Sequence, residues 1–150
     1  MVLRGLKTLG VRMRQHVASA KVLVDHLTRH PQVSRVYYPG LETHPGFAIA
    51  ERQMTGGPGG MISFDLRTGD RGLAPATAFF KALRVFVCAE SLGGVESLAE
   101  LPAVMTHASL EPEARRTLGI NDGLVRLSVG LEDIDALRED LDRGFHAAAC

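Results

Sequence analysis

Polar side chains that could bind an anion occur in three short segments of otherwise apolar sequence, residues 90–98, 105–109 and 125–133. Arg126 belongs to the third segment and lies in an apolar run that predicts a buried strand. A buried arginine requires an anionic partner, because an unpaired charge away from water is costly. A guanidinium can bind a carboxylate through two parallel hydrogen bonds, so Arg126 is a candidate carboxylate receptor.

An ion pair within the domain would satisfy Arg126 equally well. The candidate acids are Glu90, Glu96, Glu132 and Asp133. Small neighbours of the arginine leave room for a ligand, but the residue pattern by itself favours the internal ion pair somewhat over ligand binding.

Residues 90–94 directly follow a predicted strand and end in two glycines. Glycine lets backbone approach a ligand closely, and free N–H groups can receive an anion. Ser91 could bind a ligand or cap the turn, and Glu90 could attract a substrate ammonium group. A simple tight turn is the alternative reading.

Thr106 and His107 form a polar pair in an apolar stretch, where a hydrogen-bonded structural role is favoured over a general base. His26 and His30 are one helical turn apart but lack the glutamate of a zinc-enzyme motif, so we expect no metal site. Ser91, His107 and Asp122 are the residue types of a hydrolase triad, but no Gly-x-Ser-x-Gly motif supports a triad here.

The composition is that of an ordinary globular domain, with 150 residues, 45% hydrophobic and 23% charged residues and a net charge of +0. This balance gives no electrostatic signature for nucleic acid or an anionic membrane. No apolar run reaches transmembrane length, and residues 1–7 show neither the apolar region nor the cleavage site that is typical of a signal peptide. We expect Cys88 to be buried and inert, Cys150 to be frayed and unpaired, and the compartment to be a reducing cytoplasm.

Hydrophobic periodicity predicts alternating helices and strands. The predicted helices cover residues 6–27, 45–54, 72–83, 112–119 and 134–145, and the predicted strands cover residues 33–38, 61–66, 84–89 and 124–129. We expect a two-layer α/β sandwich with a small, largely antiparallel sheet and helices on one side. The expected division is a linker helix over residues 1–30, a domain over 31–146 and a tail over 147–150.

Seven stretches in order resemble one family, the pyridoxal-phosphate enzymes of cysteine and methionine metabolism, and specifically their C-terminal part. They are residues 4–9 (RGLKTL), 37–41 (YYPGL), 44–45 (HP), 59–64 (GGMISF), 90–98 (ESLGGVESL), 102–109 (PAVMTHAS) and 123–133 (GLVRLSVGLED). The 90–94 segment looks like the cystathionine gamma-synthase and gamma-lyase branch. It looks less like the beta-lyases, methionine gamma-lyases or sulfhydrylases.

The resemblance implies a fold-type I enzyme, usually a cytoplasmic homotetramer, that acts on an amino acid such as cystathionine or a homoserine ester. Arg126 matches the arginine that binds the substrate α-carboxylate, and Glu90 matches a position tied to substrate choice. Ser91 and Leu92 match the loop beside the cofactor and that carboxylate, and Thr106 matches a threonine near the cofactor.

The family's cofactor lysine, in a Ser-x-Thr-Lys segment, lies upstream of every matched stretch. The lysines of this sequence are Lys7, Lys21 and Lys81, none of which is in such a segment. We therefore expect no catalytic residue here. The expectation is a substrate-binding part, beginning at its own methionine, that needs an N-terminal cofactor domain or a related subunit.

Two other readings stay open. One is a non-catalytic truncated or split-gene module that associates with a related full-length subunit. The other, from fold analogy alone and least favoured, is a free-standing domain that senses an amino acid.

Overall fold

The computed structural model describes residues 2–149, which contain six α-helices, one short 3₁₀ helix (Gly69–Arg71) and five strands. The helices are α1 (Val2–Lys7), α2 (Leu9–Arg29), α3 (Phe47–Gln53), α4 (Ala74–Ala82), α5 (Pro112–Thr117) and α6 (Ile134–Ala149). The strands are β1 (Val33–Tyr37), β2 (Met61–Leu66), β3 (Val87–Cys88), β4 (Leu98–Glu100) and β5 (Leu124–Ser128). None of the helices within 2–149 is long and apolar enough to cross a membrane.

The five strands form one sheet in the order β1-β2-β5-β4-β3. The pairings β1–β2, β2–β5 and β4–β5 are antiparallel, and β3–β4 is parallel. The predicted α/β class is confirmed, and the sheet is mixed with mostly antiparallel pairings. β5 is the middle strand, so its side chains are positioned by neighbours on both sides.

The alternation of side chains along β2 and β5 separates an apolar face of the sheet from a polar one. Phe64, Val125 and Leu127 are fully buried on the apolar face. Phe64 contacts Phe79 of α4 and Phe145 of α6, with ring centroids 6.0 and 5.9 Å away. These contacts place α4 and α6 against the apolar face, as the prediction of helices on one side requires.

The first predicted helix is interrupted at Thr8, where a turn separates α1 from α2. Its apolar stripe is buried only from Val17 onward. Leu6 and Met13, in the first half of the stripe, are 57% and 40% exposed. The second half of α2 thus belongs to the domain core, whereas the apolar side chains near its beginning are uncovered.

Several boundaries differ from the prediction for local reasons. The third predicted helix begins later, at Ala74, because Gly72 has a φ of 56° that is incompatible with a right-handed helix. The last helix continues to Ala149, so residues 147–149 of the expected tail are helical. Cys150 lies outside the described residues.

The predicted strand over residues 84–89 is reduced to the two residues of β3. The backbone N–H groups of residues 84, 85 and 86 donate instead to the Asp140 carboxylate of α6, at 2.7, 2.9 and 2.9 Å. β4 was not predicted, because three residues are too few to show a periodic pattern.

Cys88 is exposed, so the prediction that it is buried is wrong. A two-residue strand at the edge of the sheet leaves it uncovered on its outer side. Local desolvation and the negative charge of Glu100 still raise the pKa of its thiol, which disfavours the reactive thiolate.

Asp140 is completely buried and joins α6 to the chain before β3. Burial by itself raises the pKa of a carboxyl group. The hydrogen bonds from Phe86, Arg143, Val85 and Arg84 outweigh burial and hold the pKa of Asp140 below its ordinary value. Ionised Asp140 therefore stabilises the fold above the unfolded-state pKa, and this contribution is lost as the pH falls through the lower folded-state pKa.

We predict that Asp140→Asn lowers the free energy of unfolding by about 2 kcal/mol or more at neutral pH, because an amide oxygen cannot replace a charged acceptor of three N–H groups. The difference between the variant and the unmodified protein should shrink in acid. Denaturant unfolding from neutral to acidic pH measures both effects. Glu139→Gln, at an exposed position of the same helix, is the control and should change stability little. Equal losses in the two variants would contradict the assigned role.

Candidate functional site

Arg126 occupies the centre of the polar face of the sheet. It pairs in register with Ser63 of β2 on one side and with Glu100 of β4 on the other. The two residues beside it in β5, Val125 and Leu127, point to the opposite face and are fully buried. The Arg126 side chain is 24% exposed, so the strand holds it firmly while part of its guanidinium stays accessible.

The guanidinium is already paired within the domain. Nη2 lies 2.5 Å from Oε2 of Glu100, whose side chain is 1% exposed. The internal ion pair is thus confirmed, but the acid is Glu100. None of the four acids proposed from the sequence, Glu90, Glu96, Glu132 and Asp133, forms it.

The same nitrogen also faces the glycine-containing loop. Nη2 donates to the backbone carbonyl oxygens of Glu90 and Ser91, at 2.5 and 3.3 Å. Arg126 therefore points toward residues 90–93 although an acid holds it. Among residues 2–149, no hydrogen bond involves Nε or Nη1. These two nitrogens remain available to an anion.

This arrangement limits how a ligand can bind. A guanidinium can bind a carboxylate through two hydrogen bonds along either of two edges, Nη1–Nη2 or Nε–Nη2. Nη2 belongs to both edges. A carboxylate can accept from Nη1 or Nε directly. Two parallel hydrogen bonds require that it also replace the Glu90 or Ser91 carbonyl on Nη2.

Glu100 is fixed from its other side by the segment that follows β4. Thr106 donates its hydroxyl to Oε1 of Glu100. His107 Nδ1 lies 2.9 Å from the same hydroxyl oxygen, so this ring nitrogen must carry a proton if both contacts are hydrogen bonds. Oε2 has no hydrogen bond of suitable angle, although it is close to Arg126, so attraction of opposite charges dominates that contact.

The loop over residues 90–97 is tied to the end of β5 and the residues after it. The Gly93 N–H donates to Ser128 Oγ at 2.8 Å, and the Leu131 N–H donates to the Val95 carbonyl at 2.8 Å. These bonds keep the loop beside the Arg126 guanidinium.

Ser97 and Glu132 form the strongest part of this connection. The Ser97 N–H and hydroxyl donate to the two Glu132 carboxylate oxygens, at 2.6 and 2.7 Å. The fully buried Ser97 hydroxyl also accepts from the Gly130 N–H at 2.8 Å. From the sequence, Glu132 was a candidate only as a partner for Arg126.

The structure brings most of the predicted site residues together. Glu90 and Ser91 contact Arg126 through their carbonyl groups, and Thr106 reaches it through Glu100. Leu92 is 56% exposed. It borders an adjacent cavity of about 120 Å³, whose other lining residues include Met13, His16 and Ser128.

Glu100 is the residue of this candidate site that was not predicted from the sequence. The sequence feature that could have identified Glu100 is its position as a single charged residue in the apolar stretch between Leu98 and Leu101.

Other candidate groups are not assembled. His107 contacts Thr106, and Asp122 lies 4.0 Å from Arg115, so no hydrolase triad forms with Ser91. His26 pairs with Asp142 at 2.8 Å, and His30 stacks on Phe145. Within residues 2–149 there is no group of three or more potential metal ligands.

The fold and site define an α/β domain that presents a partly open arginine beside a tethered loop. A family model, that of the Cys/Met metabolism PLP-dependent enzymes, matches residues 1–146. The chain belongs to this family.

Individual relatives support the same assignment. The chain is 54% identical to mouse cystathionine gamma-lyase and 52% identical to cystathionine beta-lyase of Coxiella burnetii, with 97% and 95% of the chain covered. Cystathionine gamma-synthase of Xanthomonas oryzae, solved in complex with cystathionine, superposes with a TM-score of 0.89, 50% identity and 98% of the chain covered.

The chain spans only 35% to 37% of the length of these relatives. The matched part is the C-terminal part of fold-type I enzymes. The identities to gamma-lyase and beta-lyase are similar and do not separate the branches, so the narrower branch resemblance of residues 90–94 stays a prediction.

The described residues do not fit the task of holding pyridoxal phosphate by themselves. None of the residues that contact Arg126 or the loop is a lysine, and Lys7, Lys21 and Lys81 lie on α1, α2 and α4. The Thr106 hydroxyl is donated to Glu100. The Ser91 hydroxyl has no hydrogen bond within 2–149 and is exposed. What the described residues offer is therefore a partly exposed guanidinium and one open hydroxyl.

We predict that Gly130→Ala destabilises the protein by about 1–3 kcal/mol, because overpacked atoms must shift. An added Cβ would lie 2.4 Å from the Val95 carbonyl oxygen and 2.5 Å from the Ser97 nitrogen. Thermal unfolding measures the loss. Gly56→Ala is the matched control, since nothing lies within 4 Å of its Cβ position. If both variants unfold at the same temperature, the close connection between loop and strand is absent.

Proposed function

We propose that this chain supplies the substrate α-carboxylate site of a cytoplasmic PLP-dependent transsulfuration enzyme that acts on an amino acid such as cystathionine. The observation that carries the proposal is the position of Arg126, which is held by β5 and Glu100 but keeps Nε and Nη1 without partners among residues 2–149. The Xanthomonas relative solved with cystathionine gives the substrate class.

Arg126 would bind and orient the amino acid. Nη1 or Nε donates to one carboxylate oxygen, and displacement of a loop carbonyl from Nη2 adds the second, parallel hydrogen bond to the other oxygen. Fixing the carboxylate at a rigid strand restricts rotation of the substrate, which lowers the entropic cost of reaction.

The loop residues would contribute at the edge of the site. Ser91 presents a free hydroxyl to substrate or cofactor, and Leu92 covers the adjacent cavity with an apolar side chain. The exposed Glu90 carboxylate offers a negative charge for the ammonium group at the far end of the substrate. The cofactor, when bound elsewhere in the enzyme, supplies the electron sink for the reaction.

The site would be complete only with a polypeptide that carries the cofactor lysine, as a further domain or a related subunit, in an oligomer. We expect the 150-residue chain alone to show no visible absorbance from bound pyridoxal phosphate and no turnover of cystathionine. Activity should appear when a chain with the Ser-x-Thr-Lys segment is added. Cofactor binding and turnover by these 150 residues alone would contradict the proposal.

We predict that Arg126→Lys in the complete enzyme raises KM for the amino-acid substrate by about ten- to a hundredfold. A charged hydrogen bond contributes about 1.5–3 kcal/mol, and an ammonium group cannot reproduce the planar fork. Steady-state kinetics measure the change.

Arg115→Lys is a suitable control, because that arginine donates to the Ala103 carbonyl outside the site and should leave KM unchanged. An unaltered KM in Arg126→Lys would refute the carboxylate assignment.

A non-catalytic associating module is the second candidate, favoured by one observation. Large apolar side chains at the beginning of the chain are exposed by 40% to 78%, namely Val2, Leu3, Leu6, Leu9, Val11 and Met13. Contiguous exposed apolar surface promotes association with another polypeptide.

We predict that the chain self-associates or binds a related subunit through this surface, and that Leu3→Glu with Leu6→Glu shifts it toward a monomer. Light scattering after size-exclusion chromatography measures the mass. Val22→Glu, at an exposed apolar position of α2 outside this surface, should leave the mass unchanged. A stable monomer of the unmodified chain would contradict the association.

A further inference from the structure

The buried charge of Glu100 is unfavourable both for folding and for anion binding, and the proposed carboxylate site by itself does not explain its presence. Glu100 places a buried negative charge 2.5 Å from the arginine that should attract an anion. Burying a carboxylate costs free energy, and its charge weakens the attraction of Arg126 for a second carboxylate. If Glu100 did nothing else, it would lower the affinity for a carboxylate ligand without any compensating contribution.

The contacts of Glu100 indicate that it can hold the Arg126 side chain in place. It lies directly opposite Arg126 in the β4–β5 pairing, so its reach to Nη2 is set by backbone register. Thr106 holds its other oxygen, which fixes the carboxylate plane. The buried acid is therefore more rigid than the arginine that it contacts, whose side chain is partly exposed.

We propose that Glu100 is a positioning residue for Arg126, and that Thr106 acts through Glu100 rather than on the cofactor. Glu100 fixes Nη2, so that the substrate carboxylate can approach one of the two nitrogens that have no partner among residues 2–149, Nη1 or Nε. Ordering a free arginine side chain costs rotamer entropy, and Glu100 imposes that order before the substrate arrives. The inference rests on the proposed function of Arg126.

The two possible roles of Glu100 make opposite predictions. If Glu100 merely competes with substrate for the guanidinium, Glu100→Gln removes a negative charge and the carboxylate ligand should bind more tightly. If Glu100 positions Arg126, the same change frees the arginine and the ligand should bind more weakly. Glutamine has nearly the same shape, which limits the disturbance of packing.

The test uses the complete enzyme, in which this chain is combined with the cofactor-carrying polypeptide. Two competitive inhibitors serve as probes, L-alanine and ethylamine, which share the amine but differ in the carboxylate. We expect Glu100→Gln to raise the inhibition constant of L-alanine about three- to tenfold, to raise KM similarly with kcat within about twofold, and to leave ethylamine unchanged. Glu113→Gln, on the exposed surface of α5, is the control.

Thr106→Val provides a second variant at an exposed position, where loss of folding is less of a risk. It removes the donor to Glu100 and should weaken L-alanine binding in the same direction, with less than additive effect in the double variant. Tighter or unchanged L-alanine binding in Glu100→Gln, or equal weakening of both inhibitors, would overturn the positioning role.

Arg126→Lys, measured in parallel, separates the two proposals. If it weakens L-alanine but Glu100→Gln does not, the carboxylate site stands and the role of Glu100 is wrong. If Arg126→Lys leaves L-alanine binding unchanged, the proposed function fails, and the positioning role fails with it.

Discussion

The ion pair between Arg126 and Glu100 is the contact on which the rest of the site depends. It joins β5 to the neighbouring strand β4 on the polar face of the sheet. It also fixes the orientation of Nε and Nη1, the Arg126 nitrogens that have no partner among the described residues. Removing either charge would leave the other without its oppositely charged partner in a partly or fully buried position, which is unfavourable. The pair is therefore a structural constraint, and under the proposed function it also determines how a ligand can approach Arg126.

The fold keeps this pair in place by two independent means. On the apolar face, Phe64, Phe79 and Phe145 pack α4 and α6 against the sheet, so β5 cannot shift without opening the core. On the polar face, Ser97 and Glu132 tie the loop over residues 90–97 to the chain after β5. The arginine is thus fixed by packing of its strand, while the loop beside it is fixed by hydrogen bonds.

The sequence was sufficient for features that depend on local pattern. β2, β5 and the buried stripe of α6 follow from alternation and helical periodicity, and the placement of Arg126 in a strand follows from its apolar neighbours. The ordered motifs also predicted the family, because their spacing covers nearly the whole chain.

Features that depend on distant contacts were not accessible in this way. Residues 84–86 carry a strand-like sequence, but their N–H groups bind Asp140, which is more than fifty residues away. The partner of Arg126 was misassigned for the same reason. The β4–β5 register places Glu100 opposite Arg126, and this register cannot be predicted from the sequence of either strand alone. The exposure of Leu6 and Met13 depends on surroundings that a helical stripe does not specify.

The most direct test of the central claim is a structure of the complete enzyme with a bound amino-acid substrate. The account predicts that the substrate α-carboxylate lies within about 3 Å of Arg126 Nη1 or Nε, while Glu100 stays paired with Nη2. A carboxylate bound elsewhere, with Arg126 contacting only Glu100 and the loop carbonyls, would contradict it.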